Sequence, residues 1–181
     1  PFASVIMHRN RLIALDTETT GLYPKYGDRL VSIGCVEILQ NGDPGRMYHQ
    51  LINPERPVTV GAQRVHGYSW DMLKNQPRFV EIADEFLEFV YGATLVIHNA
   101  RFDIGFLNTE LKKIGRGCIG DYCNGIVDTL TLARRLRPGQ PASLDALCKA
   151  FSIDASARVK HGALIDSLLL VRVYNALTKL S

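Results

Sequence analysis

The spacing of apolar residues changes character along this chain, and that change constrains the fold more than any other feature. Up to about residue 52 the apolar residues come in short runs. The first is Arg11-Leu12-Ile13-Ala14-Leu15-Asp16, the second holds Val31, Ile33, Val36 and Ile38 between Arg29 and Leu39, and the third runs from Met47 to Ile52. Short apolar runs bounded by turn formers read as buried strands. Gly34 interrupts the second run, and a bulge is expected there. Asn41-Gly42-Asp43-Pro44-Gly45 concentrates turn chemistry between the second and third runs, so those two strands are expected to pair antiparallel.

From Pro77 the period becomes helical. Phe79, Ile82, Ala83, Phe86, Phe89 and Val90 share one face, with Pro77 near the start. The aromatic members fit a core stripe better than a base-stacking platform. Short apolar runs then alternate with helical stretches. Strands are predicted at Thr94–Ile97 and Ile126–Val127, and helices near 102–114, 129–136, 143–151 and 162–180, with Ser143 as an N-cap. Three early strands followed by this alternation predict an α/β chain, a mixed sheet covered by helices.

Composition narrows the class. A length of 181 residues fits one domain, 1–181. Charged residues at 22% exclude a disordered or fibrous chain. No apolar run approaches the ~18–20 residues of a membrane span, and Pro1-Phe2-Ala3-Ser4 has no long apolar core of a secretory signal. A soluble cytoplasmic protein with no membrane partner is therefore expected. The chain starts without Met, as a processed or recombinant product would. Cys35, Cys118, Cys123 and Cys148 show neither a C-x-x-C pair nor metal-type spacing, so reduced and mostly buried thiols are expected.

The net charge of +3 is too small to argue for nucleic acid alone. Residues 129–160 carry six basic side chains (Arg134, Arg135, Arg137, Lys149, Arg158, Lys160) against Asp145 and Asp154, a local +4 that leaves −1 for the rest. A solvated face and a phosphate-facing patch both account for that excess.

Three places hold residues capable of chemistry. Asp16-Thr17-Glu18 ends the first strand, and alternation points both carboxylates the same way. Such a pair repels unless a cation sits between them; it reads as a metal site or as two solvated acids. Asp103 follows a buried strand and opens a helix, where α/β sheets keep ligands and where the helix dipole also favours an acid. His161 and Asp166 are five residues apart, about 140° round a helix, so they share a site only if His161 lies in the turn before the helix. Gly162 would ease that departure. A turn-borne His suits a general base, although a surface His beside an unrelated acid has the same sequence.

The three motifs in this order resemble the DEDD superfamily of 3′→5′ exonucleases, in the subclass that uses His. Leu15-Asp16-Thr17-Glu18-Thr19-Thr20-Gly21-Leu22, His98-Asn99-Ala100-Arg101-Phe102-Asp103-Ile104-Gly105-Phe106 and His161-Gly162-Ala163-Leu164-Ile165-Asp166 resemble its first, second and third motifs. Val65-His66-Gly67, Asp128-Thr129-Leu130 and Ser143-Leu144-Asp145-Ala146-Leu147-Cys148 are similar to the proofreading (epsilon) subunits of bacterial replicative polymerases. The similarity runs from about Leu12 to Tyr174.

The resemblance implies a ribonuclease-H-like fold, a five-stranded mixed sheet flanked by helices. It implies hydrolysis at a DNA 3′ end that releases nucleoside 5′-monophosphates with two divalent cations, Mg²⁺ or Mn²⁺. Asp16 would bridge both ions, Glu18 and Asp166 would complete one, and Asp103 would serve the other partly through water. His161 would take the proton of the attacking water. Thr17, Thr19, Thr20 and Leu22 would offer backbone groups and an apolar edge to the terminal nucleotide. His66 lines the same pocket or is structural, and Asn99 contacts substrate or caps a turn. His98 reads as a core histidine, Asp128 and Asp145 as strand-end and helix-start acids. The implied partners are single-stranded DNA, a polymerase catalytic subunit and a small stabilising subunit. Proofreading subunits usually carry a further C-terminal polymerase-binding segment, and this chain stops at Ser181. An exonuclease acting on RNA ends and a non-catalytic polymerase-binding module are the rival readings.

Overall fold

The structure is a computed structural model that describes residues 11–181, so the start at Pro1–Ser4 lies outside the described residues. The five predicted strands form: β1 (Leu12–Thr19), β2 (Leu30–Ile38), β3 (Pro44–Leu51), β4 (Thr94–Ile97) and β5 (Gly125–Asp128). They make one sheet in the order β3-β2-β1-β4-β5. The early strands pair antiparallel, whereas β1, β4 and β5 run parallel. The helices are α1 (Val60–His66), α2 (Trp70–Leu73), α3 (Phe79–Val90), α4 (Ala100–Lys113), α5 (Thr129–Leu136), α6 (Leu144–Ala150) and α7 (Ala163–Thr178).

Alternation along β1 divides the core. Ile13 and Leu15 join Phe79, Phe86, Phe106 and Leu107 from α3 and α4. Ala14 faces the opposite layer with Val36, Val96, Leu170 and Val171, against α7. A third cluster joins α5, α6 and α7 through Ala133, Leu147, Leu169 and Val173. The sheet is therefore covered on both faces, and the C-terminal end of β1 opens between α4 and α7. Among the described residues, no helix is long and apolar enough to cross a membrane.

One local expectation is corrected. Pairing runs unbroken through Asp16 and Gly34, and the register shifts instead between Glu18 and Thr19 and between Val36 and Ile38. Gly34 serves a close approach: a Cβ there would lie 2.3 Å from the backbone of Ala163. Ser167 on α7 donates its hydroxyl to the Gly34 carbonyl at 2.9 Å. The N-terminus of α7 thus rests directly on β2.

The apolar period does not reveal α1 and α2, for which the sequence carries no expectation. They are 7 and 4 residues long, capped by the side chains of Thr59 and Ser69, and Val60 and Val65 on α1 are exposed. Ser143 caps α6 as predicted, accepting from Ala146 N–H. The four cysteines are free; Cys35 and Cys148 are buried, but Cys118 is exposed.

Because the Ala163 backbone cannot yield as a flexible side chain would, Gly34→Ala is expected to destabilise the fold by about 3 kcal/mol. Urea unfolding measures this, and a change under ~0.5 kcal/mol would remove the close-approach explanation.

Candidate active site

Residues 16 and 18 of β1 project towards α7, and Asp166 occupies the first turn of that helix. Asp16, Glu18 and Asp166 each offer a carboxylate oxygen, and those atoms all lie within 4.8 Å of one another. Asp103 reaches the same region from the first turn of α4 and is buried. Its Oδ1 accepts from Thr17 twice, from the backbone N–H at 3.0 Å and the hydroxyl at 2.7 Å. Thr17 points to the α4 side because its neighbours point to the α7 side. Strand alternation therefore gives each face its acids.

His161 lies in the turn before α7, as the helical-angle argument requires, and its Nδ1 is 3.4 Å from Asp166 Oδ2. Gly162 sits at φ −155°, extended backbone that any residue adopts, so its special freedom is not used. Asp166 forms its helical bond to the Gly162 carbonyl. The His161 ring is accessible, with 46% of the side chain exposed.

Like charges dominate the electrostatics. Burial first, then repulsion from Asp103, Glu18 and Asp166, holds Asp16 well above the usual carboxylate range. Burial, with Asp166 and Asp103, pushes Glu18 up to about 8. Burial pushes Asp103 up to about 7 although the Thr17 bonds pull it down. Such a group of hard oxygen donors, short of positive charge, fits divalent cations of the Mg²⁺ or Mn²⁺ type.

A cavity of about 570 Å³ adjoins the acids. Thr17, Glu18, Thr19, Leu22, Val65, His66 and Phe102 line it. Leu22 is 64% exposed and offers the apolar edge. Thr20 does not reach this cavity. It is fully buried, its hydroxyl donates to Asp28, and its N–H and carbonyl are taken by Arg29 and Thr59. His66 both lines the cavity and braces it: Nε2–H donates to the Thr19 carbonyl at 2.9 Å, and Nδ1 accepts from Tyr68 N–H at 3.0 Å. Burial keeps its pKa below the usual value. Asn99 lies outside this cavity, in a neighbouring hollow with Lys25 and Arg101, at φ 64° and with no capping bond.

Asp128 does the capping that Asn99 does not. Its carboxylate accepts from the N–H groups of Asn99, Ala100 and Leu130, tying β5 to the starts of α4 and α5. Nδ1 of the partly buried His98 lies 2.8 Å from the Thr129 hydroxyl. Two participants escaped the sequence reading. Asp28 accepts from the Thr20 hydroxyl and Tyr23 N–H, holding the loop that carries Leu22. Arg158 lies against Asp166, Asp145 and His161 with only 7% of its side chain exposed. Its one sequence signal was membership of the basic stretch 129–160.

The sheet order, the helices on both faces and the acids gathered at the end of the central strand are those of a ribonuclease-H-like fold with a carboxylate site of metal-binding type. The exonuclease family model matches residues 13–174, and the chain belongs to that family. Within it, the chain stands with DNA polymerase III epsilon subunits: that of Rickettsia felis is 51% identical over 170 residues, 93% of this chain and 74% of the relative. The epsilon subunit of Pasteurella multocida is 42% identical over 93% of this chain and 68% of its own length. Among solved structures, Exonuclease X in complex with 5′ overhanging duplex DNA matches with TM-score 0.64 and 26% identity, over 91% of this chain and 92% of that one. The nuclease domain of 3′hExo, a DEDDh family member bound to rAMP, shares the fold with TM-score 0.79 at 14% identity, over 94% and 92% of the two chains.

The raised carboxylates carry a pH dependence of stability. Glu18 moves from an ordinary value of 4.5 to about 8, and Asp103 from 3.8 to about 7. The folded chain therefore binds more protons than the unfolded chain between those values, and stability falls as pH rises. In EDTA, the midpoint of thermal unfolding is expected to decline from pH 5 to about pH 8. A flat or rising profile would contradict this electrostatic picture.

Proposed function

We propose that residues 1–181 constitute one cytoplasmic exonuclease domain that trims single-stranded DNA from its 3′ end and serves as the proofreading part of a replicative polymerase. The observation that carries the reading is the meeting of Asp16, Glu18 and Asp166 within 4.8 Å beside an open, partly apolar cavity. Membership of the epsilon group supports the proofreading assignment, with a polymerase catalytic subunit and a small stabilising subunit as the partners.

Asp16, Glu18 and Asp166 would hold divalent cations, Mg²⁺ or Mn²⁺, and Asp103 would complete a second position. Two such ions supply countercharge to the phosphate as negative charge develops on it. The chain's own residues do the rest. Leu22 and Phe102 offer apolar surface to the terminal nucleotide, and Thr17 and Thr19 border its sugar–phosphate side. Thr17 also fixes Asp103, so the acid does not swing towards solvent. Burial, with the Tyr68 N–H donated to Nδ1, favours the neutral ring of His66, which shapes the cavity without exchanging a proton. His161, reachable from solvent at the mouth of the site, takes the proton of the attacking water on its ring nitrogen. The products are a nucleoside 5′-monophosphate and a DNA strand shortened by one nucleotide.

The test is release of nucleotides from 3′-labelled single-stranded DNA in Mg²⁺, in Mn²⁺ and in EDTA. His161→Ala is expected to keep DNA binding but lose about 10²–10⁴-fold in turnover, and Asp16→Ala to abolish release. Near-parental turnover of His161→Ala would remove that residue from the reaction. No metal-dependent release by the parent chain would favour a non-catalytic binding module, and strong preference for RNA of matched sequence would overturn the proofreading role.

A further inference from the structure

Among the described residues, Arg158 brings a permanent positive charge directly onto the acid cluster. It lies between α6 and α7, and its guanidinium has three partners. Nη1 pairs with Asp145 in the first turn of α6, a residue whose side chain is 69% exposed. Nη2 donates to Asp166 Oδ2 at 3.0 Å and lies 2.5 Å from His161 Nδ1. The same group also offsets charge on Asp16 and Glu18.

The contact with His161 has a chemical consequence. A guanidinium carries donors only, so Nδ1 meets it with a lone pair, and the hydrogen of the neutral ring is then on Nε2. Neither ring nitrogen has a lone pair free to accept a proton while Arg158 stays in place. The same Nη2 also engages the Asp166 oxygen nearest to that ring. One side chain therefore covers both a carboxylate oxygen of the cluster and the base.

We propose that Arg158 is an internal counter-cation of the metal-free site, which divalent cations displace from Asp166, so that their binding also frees Nδ1 of His161. Asp145, outside the carboxylate group, keeps hold of the guanidinium when it leaves. This rests on the reading that Asp16, Glu18 and Asp166 hold divalent cations. Docking of Arg158 and binding of a cation are then two mutually exclusive events with a coupling free energy between them.

Two measurements on the intact chain test this. In ¹⁵N NMR of the parent protein in EDTA, the Arg158 guanidinium protons are expected to exchange slowly, and His161 to show the Nε2–H tautomer. Addition of MgCl₂ should abolish that protection and shift the His161 ring nitrogens. In a MnCl₂ titration followed by EPR, Arg158→Gln should bind Mn²⁺ about tenfold more tightly than the parent. Arg158→Lys, which retains the charge, should lie nearer the parent. Mn²⁺ binding with Arg158 still protected in Mg²⁺, or with equal or weaker affinity in Arg158→Gln, would overturn the displacement while leaving the metal site intact. Failure of the parent to bind Mn²⁺ at all would overturn both readings. The NMR arm needs no variant, so it decides the matter even if Arg158→Gln does not fold.

Discussion

Mutual repulsion of carboxylates is the constraint around which this molecule is arranged. Asp16 and Glu18 come from β1, Asp103 from α4 and Asp166 from α7, and burial removes the solvent screening that would otherwise damp their repulsion. Left to side-chain flexibility, such groups would turn apart. Asp103 and Asp166 are instead braced by contacts the charge cannot move. Thr17 ties Asp103 through two donors. The seat of α7 on Gly34, with Ser167 bonded to the Gly34 carbonyl, fixes the start of the helix that bears Asp166. Asp128 fixes the first turn of α4 by accepting from Asn99 and Ala100. The hydrophobic layers on both faces of the sheet supply the rigidity that lets these braces act.

The order of strands explains why residues so distant in the chain meet. β1 sits between antiparallel β2 and parallel β4, so its C-terminal end adjoins both the start of β2 and the β4–α4 turn. Alternation then sends Asp16 and Glu18 to the α7 layer and Thr17 to the α4 layer. The register shift after Glu18 is the point where the strand leaves the sheet and carries Thr19 to Leu22 round the cavity. A slip of one residue in β1 would exchange the faces and put Thr17 among the acids. The apolar pattern of Ile13, Ala14 and Leu15, buried on both sides, holds the register that the chemistry needs.

What the sequence disclosed follows from the range of the interaction concerned. Strands and long helices were legible because apolar periodicity is a local signal, and α3 follows its Phe79–Val90 pattern. The three acid-bearing motifs were legible because their residue types and order are distinctive. Gly34 was misread because its cause lies 129 residues away, in the backbone of Ala163. α1 and α2 were missed because helices so short, with Val60 and Val65 exposed, have no apolar stripe to detect. Thr20 looked like its neighbours in the motif, yet pairing with Asp28 turns it inward. Arg158 was one of six bases in a basic stretch, and no local pattern separates the one folded onto carboxylates from those in solvent.

That last distinction bears on how a DNA end meets the site. Phosphates are negative, and the acids they must approach, which burial keeps partly protonated, offer them no attraction; Arg158 is the cation that offsets charge on Asp16 and Glu18. A guanidinium carries a single charge and is already shared with Asp145 and Asp166. It offsets the repulsion within the protein without leaving a surplus for a phosphate. Divalent cations would neutralise the acids and remove their repulsion of a phosphate beside the cavity, where Leu22 and Phe102 provide apolar contact for a base. The electrostatics therefore favour an order in which cations enter before the nucleic acid. Apolar contact with the terminal base can then stabilise the complex once the phosphate is no longer repelled.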